Sequence, residues 1–266
     1  MCYDISFTVK LKELAAYFPD LVTTVQLDLE FEGTHIMGHR FNLHPILYRR
    51  REDQKYILFP MEWGVIPFYV KDENGFLRQR ASMLNTRSER ILGDEKSYWY
   101  KIRNRRCLIP VTGVYEHRAI KGWKKKVPYF IRLTDQALFF LPGLYSVTEL
   151  PDPETGEMIK RWTFSLITRN GNDLMKKIHN DGENRGRMPL FLPPELSIEF
   201  LQGDLSSERY REILQYEMPP EKMEAITVYT IRSSKPRPDG KNKNEFWEWE
   251  KLPEPGTSGP DSYTVI

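Results

Sequence analysis

The sequence predicts an α+β, strand-rich fold in one domain. Three observations carry that expectation. Apolar runs of strand length, broken by Pro and Gly, dominate the first two thirds of the chain. Helical periodicity is confined to a few short segments. No repeat of fixed period and no shift in composition divides the chain before about residue 235.

Taken in order, KLKELAAYF (10–18) reads as a short helix with Leu11, Leu14, Ala15 and Phe18 on one face. VQLDLEF (25–31) alternates apolar and polar residues, as a half-buried strand does. FNLHPIL, KYILFPMEWGVIP and RRCLIPVTGVYEHR are strands running into turns. VPYFIRL, QALFFLPGLYSV and RWTFSLITRN are further strands, and ELPDPETGEMIK is a turn-rich connector with the character of a hairpin tip. NGNDLMKKIHN is a short helix with Asn170 or Asn172 as its N-cap. PPELSIEFLQG and SERYREILQYE are helical, each with Pro or Ser near its start. The domain is expected over residues 1–235. The Pro/Gly/Lys/Glu-rich stretch 236–266 is expected as a surface-wrapped or flexible tail.

Bulk composition excludes several classes. The 266 residues carry a net charge of only +2, so any nucleic-acid-binding surface must be local. No apolar run is long enough to span a membrane. Two cysteines, Cys2 and Cys107, are too few for a disulfide framework and lack zinc-ligand spacing. The histidines His35, His39, His44 and His117 are assigned no metal. We therefore expect no metal, no cofactor and a cytosolic chain.

Four stretches set polar residues in apolar or turn-forming surroundings: Cys2; MLNTRSERI with Asn85 and Arg87; RRCLIPVTGVYEHR with Glu116; and LITRNGNDLMKKIHNDGENRGRMPLFL with Thr168, His179 and Arg187. Each has a plain structural alternative. Cys2 can be an accident of a frayed terminus. Asn85 can hold a turn, and Arg87 can pair with Glu89. Glu116 can be a solvated strand-end acid, and His179 can complement a helix C-terminus. Cys107 reads as an inert buried thiol, and Trp63 as core rather than a stacking platform.

The order of the strings decides between these readings. WGVIP, NTRSE, RCLIPVTGVYE, PYFIRL, LPGLYSV and LITRNGNDLMKKIH occur colinearly behind an N-terminal MC. Together they resemble the SRAP family (SOS response-associated peptidase, or abasic-site processing proteins), whose usual strings include MCGR, WGLIP, NARAET, RRCLIPADGFYEW, AGLW and IHDRMPVIL. The resemblance spans roughly residues 1–200. It implies a bent sheet or open barrel with peripheral helices.

The resemblance implies that Met1 is removed and Cys2 becomes the N-terminal residue. Its amine and thiol would then capture the ring-opened sugar of an abasic site in single-stranded DNA as a thiazolidine, a covalent protein–DNA link of the DNA damage response. The amine would form a Schiff base and the thiol would close the ring. An internal cysteine cannot do this, because its nitrogen is an amide. By the same resemblance Glu116 is the acid/base, His179 a proton carrier and Asn85 an orienting residue. Arg87 and Arg187 would hold phosphates, with Arg185 a competing candidate, while Thr168 and the Pro45 region would line the pocket. A monomer in the bacterial cytoplasm is expected, at the nucleoid when bound to DNA.

Three departures stand out. The family's GR after Cys is Tyr3-Asp4, so an acid replaces an arginine. The Trp of FYEW is His117. Six extra residues lie between His179 and Arg187. Two further functions remain open: a Cys-His-Asn peptidase (a protease, hence hydrolase, in place of the lyase-like capture) built from Cys2, His179 and Asn85, and a non-covalent single-strand-binding module.

Overall fold

A computed structural model of the chain describes residues 2–24, 33–152, 154–233 and 235–257. The strand expected over 25–31 and Met1, whose removal the resemblance implies, lie outside these residues. The elements in chain order are β1 (Asp4–Phe7), β2 (Val22–Thr23), β3 (Gly33–Met37), β4 (Leu43–Arg49), β5 (Tyr56–Trp63), α1 (Glu73–Arg80), β6 (Asn85–Arg87), α2 (Glu89–Leu92), α3 (Tyr98–Lys101), β7 (Arg106–Val111), β8 (Gly113–Arg118), β9 (Val127–Leu133), β10 (Phe139–Pro151), β11 (Met158–Asn170), α4 (Asp173–Ile178), β12 (Arg187–Pro189), α5 (Pro194–Phe200), α6 (Ser207–Gln215) and β13 (Met223–Thr227). The fold is α+β and strand-rich, as the sequence predicts.

Strands β11, β10, β7, β4 and β5 form a ring of neighbours. Parallel pairing of β5 with β11, at Thr163↔Glu62 and Phe164↔Trp63, closes it. The expected open barrel is therefore closed, and closure leaves these strands no exposed hydrogen-bonding edge. Alternate residues of the ring serve two cores. Ile46, Tyr48, Cys107, Ile109, Leu141, Phe164 and Leu166 share one cluster. Leu47, Leu108, Phe140, Leu144 and Ile167 join the helical residues Trp99, Phe200, Tyr210 and Ile213 in the other. With both faces buried, the strands read as continuous apolar runs rather than alternating ones.

The connector 149–160 is a hairpin tip, with Pro151 paired to Met158. The Asp152 side chain accepts from the Glu154 and Thr155 amides at 2.9 and 3.0 Å, an Asx-type turn. Asn172, rather than Asn170, caps α4 by accepting from the Met175 amide at 3.0 Å. The first predicted helix is a 3₁₀ turn over Leu11–Ala16. At three residues per turn Leu11 and Leu14 stay buried, while Ala15 rotates into solvent.

A second sheet, in the order β13–β9–β8–β1–β3, carries the N-terminus. All four residues of β1 are buried. Strand β1 lies between β3 and β8, with Ser6 opposite Gly113 and Ile5 opposite Val114. Gly113 is required there, because a Cβ would overlap the Phe130 ring. The terminus is thus tied into a sheet rather than frayed.

Candidate active site at the N-terminal strand

Cys2 precedes the central strand β1 and is completely buried. Two contacts fix its neighbourhood. The Asn85 Nδ2 donates to the Cys2 carbonyl at 2.8 Å, and the Gly38 amide donates to the Tyr3 carbonyl at 2.8 Å. The Cys2 thiol donates weakly to the Asp4 carbonyl at 3.5 Å. Burial first, and the charge of Glu116 second, push the thiol well above its ordinary pKa. The thiol is therefore protonated at neutral pH.

Glu116 sits in β8 opposite Tyr129 of β9 and is 5% exposed. Its Oε1 is buried without a hydrogen-bond partner among the described residues. Burial raises its carboxyl to about 7. An acid poised there exchanges protons near neutrality.

His179 follows α4 and is also buried. The Arg187 carbonyl, which can only accept, lies 2.8 Å from Nδ1. The proton therefore sits on Nδ1, and Nε2 is the basic nitrogen. Burial pushes the imidazole down to about 4. His179 is therefore neutral at pH 7, its pKa below the range expected of a proton carrier near neutrality.

Glu116 and His179 line a cavity of about 330 Å³ together with Tyr3, His117, Lys126 and Arg232. Residues 181–184, within the six-residue insertion, form another part of its wall. The insertion is pinned at its base. The Gly186 amide donates to the His179 carbonyl at 2.7 Å. The Asn180 side chain clasps Ala119, accepting from its amide at 2.8 Å and donating to its carbonyl at 2.9 Å. Asn184 accepts from Arg87 at 3.0 Å, which brings that exposed arginine to the rim.

The remaining sequence candidates lie elsewhere. Arg187 is 7% exposed. Its Nη1 donates to Glu89 Oε1 and Asn170 Oδ1, and its Nη2 to Glu89 Oε2 and the Thr168 carbonyl. Those bonds occupy both terminal nitrogens, so the fold uses Arg187 to hold strand ends and, through its carbonyl, to orient His179. Glu89, one of the acids open to Arg87 in the plain structural alternative, is bonded to Arg187 instead. Thr168 is fully buried and its hydroxyl donates to the Thr86 carbonyl at 3.2 Å. Pro45 is buried in the β4–β5 ladder opposite Pro60. Neither lines the cavity. Arg185 is exposed within the insertion. Trp63 is core, its Nε1 donating to the Leu84 carbonyl at 2.8 Å.

Arg232 is the residue the sequence did not reveal. Asp4, the acid that replaces an arginine, is 2% exposed. Burial alone would raise its carboxyl, yet His35 at 2.8 Å and Arg232 at 2.6 Å hold it below its ordinary value. Asp4 thus fixes Arg232 at the cavity with about half of that side chain exposed. The pair spans 228 positions in sequence, and no local pattern announces it. Among the described residues no cluster of His, Cys, Asp and Glu could hold a metal ion. No described helix is long and apolar enough to cross a membrane.

Comparison with known proteins accords with this geometry. The sequence is 31% identical over 175 residues to the abasic site processing protein YoqW of Bacillus subtilis (strain 168), covering 65% of this chain and 70% of that one. It is 33% identical over 157 residues to the abasic site processing protein YMR114C of Saccharomyces cerevisiae, covering 58% of this chain but 37% of the longer yeast protein. A crystal structure of a Bacteroides thetaiotaomicron protein superposes with a TM-score of 0.72 at 29% identity, covering 92% of this chain and 97% of that one. The profile described as SOS response associated peptidase (SRAP) matches residues 1–234, and on that match the chain belongs to the SRAP family.

Proposed function

We propose that this protein captures ring-opened abasic sites in single-stranded DNA covalently through Cys2, once Met1 has been removed. The observation that carries the reading is a pair of unpartnered buried oxygens, Glu116 Oε1 and Asn85 Oδ1. Asn85 is bonded to Cys2 itself, and the charge of Glu116 reaches the Cys2 thiol. Buried acceptors without donors are costly. An α-ammonium on Cys2 brings N–H donors into this neighbourhood. The names of the curated relatives, abasic site processing proteins, support the same substrate.

The chemistry follows from the groups present. The neutral amine of Cys2 attacks the sugar aldehyde and gives a carbinolamine. Protonated Glu116 donates to the departing hydroxyl, and water leaves to form the Schiff base. The thiol sulfur then bonds to the imine carbon while its proton passes, through the Glu116 carboxylate, to the nitrogen. A thiazolidine results, with net loss of one water. His179 Nε2 accepts a hydrogen bond from a hydroxyl of the opened sugar. Arg87, Arg232 and Lys126 face the strand's phosphates in place of Arg187. A peptidase would need a thiolate–imidazolium pair, whereas here burial raises the thiol and lowers the imidazole.

Intact mass spectrometry tests the reading directly. A chain lacking Met1 should gain the mass of an abasic single-stranded oligonucleotide less one water, and Cys2→Ala should gain nothing. Retention of Met1, or no adduct despite a free Cys2, overturns the proposal.

A further inference from the structure

A larger cavity, of about 590 Å³, shares no lining residue with the cavity of Glu116 and His179. Its wall includes Arg49, Arg51, Arg106, Asn104, Tyr145 and Asp204. Three arginines and one acid thus line it; Arg49 Nε donates to the Gln54 carbonyl at 3.0 Å and Arg51 Nη2 to the Asn104 carbonyl at 3.3 Å, which leaves their other guanidinium nitrogens for a ligand. None of the three arginines makes an ion pair within 4.0 Å among the described residues. Arg106 is the most telling: it is 7% exposed, it donates to the Gln202 carbonyl, and its Nε has no partner. Its guanidinium is held over the Tyr210 ring at 5.1 Å, so the group is rigidly placed. Burial weakens its hold on the proton, and the nearby charge of Arg51 acts in the same direction, against Tyr210 and Asp204. Buried charges in folded proteins are ordinarily paired.

We propose that this cavity is a second binding site, specific for a phosphate group. Planar guanidinium groups converging on one cavity match the several acceptor oxygens and the charge of a phosphate. A volume of about 590 Å³ suits a ligand of nucleotide size. Tyr145, half-buried and stacked on Trp162 at 5.8 Å, gives the cavity an aromatic wall. The phosphate reaches the site from a free nucleotide or from the end of a DNA strand. The site does not depend on capture chemistry at Cys2.

Calorimetric titration of the full-length Cys2→Ala chain tests this, since that chain cannot form the thiazolidine. The probes are inorganic phosphate, dAMP, and one short oligonucleotide with and without a 5′-phosphate. We expect saturable binding that Arg51→Ala weakens about tenfold, the loss of a charge-assisted hydrogen bond. Arg51 is exposed, so this variant folds even where Arg106→Leu does not. Binding of phosphate or dAMP assigns a free nucleotide; binding only of the 5′-phosphorylated strand assigns a DNA end. No saturable binding of any probe, or equal affinity in Arg51→Ala, overturns the proposal.

Discussion

Two polar clusters in this molecule, one half-buried and one buried, differ in how completely they are satisfied. Where β5 and β11 close the barrel, Arg80 and Arg161 meet Glu62 and Glu73. Arg80 donates to Glu62 at 2.6 Å and Glu73 at 2.9 Å, and its Nε donates to the Gly64 carbonyl. Arg161 contributes bonds of 2.6 to 3.3 Å to the same two acids. Every carboxylate oxygen there has a guanidinium partner. At the Cys2 site, by contrast, Glu116 Oε1 and Asn85 Oδ1 have none. A closed network fixes a strand pairing, whereas an open one leaves acceptors for a group that arrives later, as the proposed reading of the Cys2 site requires.

Glu116→Gln gives the largest expected effect. Without a proton to exchange, capture should slow by about 10²–10⁴-fold, measured as the rate of adduct formation, while single-strand binding persists. The same variant tests the cost of the open network. In the folded chain Glu116 holds its proton up to about 7, against 4.5 ordinarily. Between those values the folded state binds more protons than the unfolded one, so stability falls as pH rises through the window. The loss is about 3 kcal/mol. Denaturant titration should show that slope in the parent chain and a flatter one in Glu116→Gln. An unchanged capture rate removes Glu116 from the mechanism.

Arg80→Met probes the other side of the comparison. It leaves the half-buried Glu62 and Glu73 with Arg161 as their remaining guanidinium partner and should cost about 1–3 kcal/mol of stability. Capture per folded molecule should stay the same. A fall in capture rate with stability intact would break the contrast, because it would make the barrel network part of the site.

The sequence carried the candidate residues but not their neighbours. Cys2, Glu116, His179 and Asn85 stand in colinear strings, and strings survive when only local spacing is read. Helix α1 was missed although DENG carries a cap signal: Asp72 accepts from the Asn74 and Gly75 amides at 3.0 Å. Its apolar face is short, with Phe76 the buried hydrophobe. The Glu89 bond of Arg187 was hidden for a different reason: the two residues are 98 positions apart, and ion pairs between distant segments leave no period. The acid Asp4 is likewise not an acid facing the strand, because His35 and Arg232 cover it.

Arg232 offers the smallest and most specific effect. Removing one cation–phosphate pair from a single-stranded complex lowers the slope of log affinity against log salt by about 0.7. Arg232→Gln keeps a hydrogen-bond donor near Asp4 while removing the charge, so it should weaken binding of a single strand several-fold at low salt and reduce the slope by about that amount. Arg187→Gln should leave the slope unchanged, because both terminal nitrogens of Arg187 are occupied by Glu89, Asn170 and Thr168. The opposite result, a shallower slope for Arg187→Gln and an unchanged one for Arg232→Gln, would return the phosphate-binding role to Arg187. It would also require the Glu89 pair to open when DNA binds. The two slopes together decide whether Asp4 disables the site or instead recruits, from the far end of the chain, a cation for it.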